Sequence, residues 1–108
     1  MKQWIPKEFS REHLIDFNET ATLSVGNGRT VEVSLRYYDT KKKSSMGGGW
    51  KLFSEKHNLQ VDDVCKFEMI QRRPMSFNVT ITRARNQPIP KKLLGFSFFL
   101  FYLLFYMS

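Results

Sequence analysis

Ala21-Thr22-Leu23-Ser24-Val25-Gly26-Asn27-Gly28-Arg29-Thr30-Val31-Glu32-Val33-Ser34-Leu35 is the stretch that decides the fold class. Apolar side chains stand at positions 21, 23 and 25 and again at 31, 33 and 35, with polar ones between them. A period of two places one face of a strand against a core and the other in water. Gly26-Asn27-Gly28 tolerates positive φ, so the two strands read as a hairpin. Working outward, Phe77-Asn78-Val79-Thr80-Ile81-Thr82 alternates most cleanly of all. Val64-Cys65-Lys66-Phe67-Glu68-Met69-Ile70 is more continuously apolar, with Cys65, Phe67 and Met69 on one face and Lys66 and Glu68 on the other. The chain is therefore mainly β. Two short helices interrupt it. Ser10 caps a turn running through Leu14, after Ile5-Pro6, where proline disfavours helix in the residue before it. Gly47-Gly48-Gly49 precedes Trp50-Lys51-Leu52-Phe53-Ser54-Glu55-Lys56-His57, in which Trp50, Phe53 and His57 share a face, and Asn58 is a C-terminal stop.

The 108 residues allow one compact domain, and 42% apolar content argues against disorder over the whole chain. A large catalytic fold and a polytopic membrane protein are both excluded. The net charge is +7, and it is unevenly placed. Residues 1–71 hold 11 basic and 10 acidic side chains, whereas Arg72, Arg73, Arg83, Arg85, Lys91 and Lys92 stand in a stretch with no acid. Residues 36–51 carry five basic groups against Asp39. Such clustering fits nucleic acid or an anionic membrane, or else a solvated basic face. The single Cys65 permits no internal disulfide, which suits a reducing compartment. The N-terminal residues contain no apolar run and do not form a signal peptide.

Catalysis finds little support. His13, His57 and Cys65 lack metal-ligand spacing, so no zinc site and no cofactor are expected. Cys65 falls on the apolar face of its strand and reads as a core residue. Asp62-Asp63 reads as turn chemistry, because neighbouring side chains in a turn diverge. Gly47-Gly48-Gly49 lacks the buried strand before it and the Lys-Ser/Thr after it that a phosphate cradle requires. Asn18-Glu19-Thr20 and Asn78-Val79-Thr80 are chance-level glycosylation triplets, the second inside a strand. Trp50 and Phe53 read as core, and Arg72-Arg73 as a solvent-facing turn before Pro74.

Taken in order, Ile5-Pro6-Lys7-Glu8-Phe9, His13-Leu14, Ala21-Thr22-Leu23, Gly28-Arg29-Thr30-Val31-Glu32-Val33, Gly49-Trp50-Lys51-Leu52-Phe53, Asn58-Leu59, Asp63-Val64-Cys65-Lys66-Phe67-Glu68 and Phe77-Asn78-Val79-Thr80-Ile81 form a family pattern. The chain resembles the plant B3 DNA-binding domain over roughly residues 4–83, and Val64-Cys65-Lys66-Phe67-Glu68-Met69-Ile70 looks most like the reproductive-meristem branch. The resemblance implies an open β-pseudobarrel of seven strands with two short helices, gripping the DNA major groove with two arms. The family places a strand and an arm ahead of Ile-Pro-Lys, where this sequence has Met1-Lys2-Gln3-Trp4. About six of the seven strands are therefore expected, in an N-terminally truncated domain with an exposed sheet edge. The second arm corresponds to residues 36–45.

The residues expected at double-stranded DNA are Lys2, Gln3, Arg36, Lys41, Lys42, Lys43 and Ser44. Lysines are mobile point charges for phosphates, and the planar fork of Arg36 can read guanine. The expected function is a nuclear, non-enzymatic regulator of transcription. The alternative is a truncated B3-like module that binds proteins or a membrane and no longer reads DNA specifically.

The expected organisation is a domain over residues 1–85, a basic linker over 86–92 and an apolar aromatic tail over 93–108. Seven of the 16 aromatic residues lie in the last 14 positions, and all charged groups precede residue 93. A helix over the 15 residues from Leu93 to Met107 would span ~22 Å, short of the ~30 Å hydrocarbon core. Three readings of the tail stand open: non-coding sequence read into the chain, a membrane anchor behind Lys91-Lys92, or a segment packed on the domain.

Overall fold

Alternation sets the sheet. In β3 (Thr30–Tyr38) the positions from Thr30 to Tyr37 switch strictly between exposed and buried, and Val31, Val33, Leu35 and Tyr37 supply the buried side. The computed structural model describes residues 2–26, 28–86, 96–97 and 100–105. Around β3 lie β1 (Gln3–Trp4), α1 (Lys7–His13), β2 (Thr20–Ser24), β4 (Lys43–Met46) and α2 (Trp50–Lys56). Then follow β5 (Val64–Arg72), β6 (Met75–Thr82), a 3-10 turn (Ala84–Asn86), β7 (Phe96–Ser97) and β8 (Leu100–Leu104). They form one curled, open sheet in the order β1-β4-β3-β2-β6-β5-β8-β7. All neighbours are antiparallel except β2 and β6, which run parallel from Ala21↔Met75 to Ser24↔Asn78. The mainly β open pseudobarrel with two short helices is thus present.

The concave side is filled by aromatic rings. Phe9 of α1, Phe67 of β5, Phe77 of β6 and Phe101 of β8 are all at most 1% exposed. The Phe101 ring lies 4.6 Å from Phe9, 4.8 Å from Phe67 in a stacked pair, and 5.7 Å from Phe77 edge-on. Trp50 and Phe53 stack beside this group and are buried, as their helical spacing implies. Burial pushes the Cys65 thiol up to about 12, so this side chain acts as a small core residue.

Residues 100–105 join this core. β8 pairs with β5 from Val64↔Leu104 to Glu68↔Leu100, and Phe101, Leu103 and Phe105 are buried. β5 is therefore flanked by β6 on one side and β8 on the other. Among the described residues no helix is long and apolar enough to cross a membrane. The expected linker over residues 86–92, apart from Asn86, lies outside the described residues, as do residues 93–95, 98, 99 and 106–108 of the expected tail.

Local details depart from the sequence reading where several residues compete for one role. The first helix starts at Lys7 with Pro6 as its N-cap, not at Ser10. The Ser10 hydroxyl is buried inside the helix, donating to the Pro6 carbonyl at 3.0 Å and accepting the Ser44 N–H at 3.0 Å. It ties α1 to β4 instead of starting a turn. The triple glycine before α2 answers to a close approach. Gly49 has φ +96°, and a Cβ there would sit 2.0 Å from the Glu32 carbonyl oxygen. Asn58 adopts φ +50° just past α2, as a stop residue should.

The far end of α2 is locked by Asp63, whose side chain is 3% exposed. Burial alone would raise this carboxyl. The N–H groups of Gln60 and Ala84, each at 2.9 Å, and the Arg83 guanidinium at 2.9 Å outweigh it and hold Asp63 below the usual carboxylate range. Arg83 also donates to the carbonyls of His57 at 2.7 Å and Asn58 at 3.1 Å. The end of β6 is thereby fastened to the end of α2.

Candidate nucleic-acid interface

Strand parity assembles a basic face at the β1 end of the sheet. Trp4 pairs with Ser45, Ser45 with Arg36, and Lys43 with Tyr38. Residues opposite each other in a ladder, and those two apart along a strand, share a face. Lys2, Trp4, Lys43, Ser45, Arg36 and Tyr38 therefore all belong to the outer side. The Trp4 and Tyr38 rings meet edge-on at 5.3 Å. Cations gather on this pair. Lys43 Nζ is 4.7 Å, Lys2 Nζ 5.3 Å and Lys41 Nζ 5.8 Å from the Trp4 centroid. Lys2 Nζ is 4.8 Å and the Arg36 guanidinium 5.1 Å from the Tyr38 centroid.

Lys2 also donates to the Tyr38 hydroxyl at 3.2 Å, and this bond draws the Tyr38 phenol below its ordinary value. Each cation–π contact contributes roughly 0.5–1 kcal/mol at an exposed site. The negative faces of the two rings thus offset part of the repulsion among four like charges. What remains is a concentrated positive potential, the electrostatic complement of a polyanion.

The structure sorts the sequence-expected residues. Lys2, Arg36, Lys41 and Lys43 converge on the rings. Gln3, between Lys2 and Trp4, pairs with the buried Met46, so parity sets it on the other face; its amide donates to the Trp4 carbonyl at 3.2 Å. Lys42 diverges: it adopts φ +54° and its ammonium lies 3.5 Å from Asp39, both side chains being largely exposed. The arm itself is shorter than residues 36–45. Arg36 is on β3 and Lys43 on β4, leaving only residues 39–42 as loop.

Ser44 does not reach this surface. It is fully buried, its N–H is bonded to Ser10, and its carbonyl accepts the Ile5 N–H at 2.8 Å. Register places Ser44 opposite the buried Tyr37; Ser45 lies in the row of Trp4 and Arg36 but is itself covered, only 2% exposed. Trp4 and Tyr38 were not among the expected contacts. The signal available for them was an aromatic residue beside basic ones on both segments, Lys2-Gln3-Trp4 and Arg36-Tyr37-Tyr38.

The other basic turn differs. Arg72 and Arg73 are exposed, but the Arg72 guanidinium contacts Nδ1 of His13, and no aromatic platform collects these charges among the described residues.

Comparison with known proteins gives one family. The model of the B3 DNA binding domain matches residues 1–85. A B3 domain-containing protein of rice (Oryza sativa subsp. japonica) is 38% identical over 89 residues, covering 82% of this chain and 21% of the relative. A second rice protein, described as a putative B3 domain-containing protein, is 35% identical over 88 residues, covering 82% of this chain and 8% of the relative. The chain thus spans about a fifth or less of the length of these relatives.

Proposed function

Since the chain belongs to the B3 DNA-binding domain family, we propose that it is a non-enzymatic regulator of transcription that binds double-stranded DNA in the nucleus. The observation that carries the reading is the convergence of Lys2, Arg36, Lys41 and Lys43 on Trp4 and Tyr38. Lys2, Lys41, Lys42 and Lys43 bind phosphates, and Gln3 of β1 follows Lys2 in the chain. Arg36, with its planar fork, faces base edges in the major groove, where guanine offers two acceptors in the matching geometry. The phosphate contacts set position and strength, and the arginine contributes base choice.

The test is duplex binding measured over a range of salt. Each lysine–phosphate contact adds ~0.9 to the slope of log K against log salt. Replacing Lys41, Lys42 and Lys43 together by Ala is expected to lower that slope by up to ~2.7 and to weaken binding most at low salt. A triple variant that binds like the wild type at low salt would sink the assignment of this hairpin as the DNA arm.

A further inference from the structure

Because the sheet is open, its two ends face each other across a groove of about 670 Å³. Trp4, Lys7, Lys41 and Lys43 line one wall, and Tyr102 and Leu103 of β8 line the other. Among the described residues three lysines border this space, and no carboxylate does. Along β8 the side chains of Phe101 and Leu103 are buried in the core, while Tyr102 between them is half-buried and lies opposite Lys66 in the ladder. The Tyr102 hydroxyl has no hydrogen-bond partner among the described residues. A neutral hydroxyl donor among cations, with no acid among the described lining residues, matches a phosphate oxygen in both charge and hydrogen-bonding sense.

We propose that this groove is a phosphate seat in which Lys7 and Tyr102 hold a backbone phosphate beside Lys41 and Lys43. It rests on the DNA-binding reading and extends it, since it brings the C-terminal strand into the interface. A phosphate contact carries no sequence information, so the seat strengthens binding to every duplex alike.

Tyr102→Phe removes only the hydroxyl and keeps the ring, and Lys7→Gln alters an exposed side chain. Thermal melts of both variants should match the wild type. Tyr102→Phe should weaken duplex binding about two- to tenfold, by the same factor on any sequence and with an unchanged salt slope. Lys7→Gln should lower the slope by ~0.9. If both bind with wild-type affinity and slope while Lys41→Ala is weakened, the duplex does not enter the groove and the proposal falls.

A second arm separates this failure from that of the DNA reading. Tripolyphosphate titrated into the wild-type protein should shift the NMR signals of the Trp4 indole N–H and the Tyr102 amide, and Tyr102→Phe should reduce its affinity. Such shifts without any duplex binding would keep the seat as a site for a free polyphosphate and overturn the DNA reading. Neither duplex binding nor tripolyphosphate shifts at these positions would overturn the seat as well.

Discussion

The molecule uses aromatic rings in two places for opposite ends. Phe9, Phe67, Phe77 and Phe101 form a dry cluster, none of them more than 1% exposed, and they meet one another. Trp4 and Tyr38 form a wet cluster, half-buried and surrounded by four cations. The residues chosen differ accordingly. Phenylalanine has no polar atom to satisfy and contributes area, whereas indole and phenol combine a polarised face with a polar handle that remains solvated. The first cluster makes the barrel stable and the second makes part of its surface attractive to an anion. Substitutions should be able to damage either one without the other.

The largest effect is expected at Phe101. Its replacement by Ala leaves a hole against three rings and should cost about 3–5 kcal/mol, read from urea unfolding. The salt slope of duplex binding by the folded fraction should not change; a reduced slope would mean that the two clusters are not separable.

Asp63→Asn lies in neither cluster and controls for general loss of stability. It removes the buried charge that the partly exposed Arg83 guanidinium and two N–H groups hold, and should cost about 1–3 kcal/mol near neutral pH. Because the folded-state pKa is depressed, the Asp63 contribution is complete above the ordinary carboxylate pKa and is lost as pH falls through the lower folded value. Acid unfolding of the variant should thus be less steep, and an unchanged acid limb would show that Asp63 does not set it.

Next in size is Trp4→Leu, which keeps bulk but removes the platform. Loss of roughly 0.5–1 kcal/mol per disengaged cation is expected to appear as a severalfold drop in duplex affinity, with little change in melting temperature. A melting temperature lowered as far as in Phe101→Ala would place Trp4 functionally in the core. The finest contrast is between adjacent lysines. Lys43→Ala should lower the salt slope by ~0.9, and Lys42→Ala by less, since Asp39 already sits beside that charge. Equal slopes for the two would show that convergence on the rings does not matter.

Much of this was readable in the sequence, and the exceptions share a cause. β2, β3 and β6 announce themselves because one face is buried and the other wet, so period two survives in the residues. α2 does so through Trp50 and Phe53. Leu100-Phe101-Tyr102-Leu103-Leu104-Phe105 has almost no alternation, and its role as a strand is decided by the β5 edge some 35 positions earlier, from Val64↔Leu104 to Glu68↔Leu100. No local pattern encodes that pairing. Ser44 and Ser45 are chemically identical neighbours; only the ladder register tells which lies in the row of Trp4 and Arg36, and only the packing shows that both are buried. Trp4 belongs to a two-residue strand, too short to show any period. Lys41, Lys42 and Lys43 were legible as a group, but their division into two that converge and one that turns away depends on the positive φ at Lys42.

The parallel pair β2–β6 has a kinetic consequence. Among the described residues it is the sole ladder joining β1-β4-β3-β2 to β6-β5-β8-β7, and it brings together segments as far apart as Ser24 and Phe77, 53 positions along the chain. Within each half most neighbours are near in sequence and can form quickly, while the junction must first close a long loop. Folding is thus expected to proceed as two local units whose docking limits the rate. The charged residues of the seam belong to the first unit and Tyr102 to the second, so the groove exists only after that last step. A probe at the seam would report completion of the barrel, while one in the β3–β4 hairpin would report an earlier event.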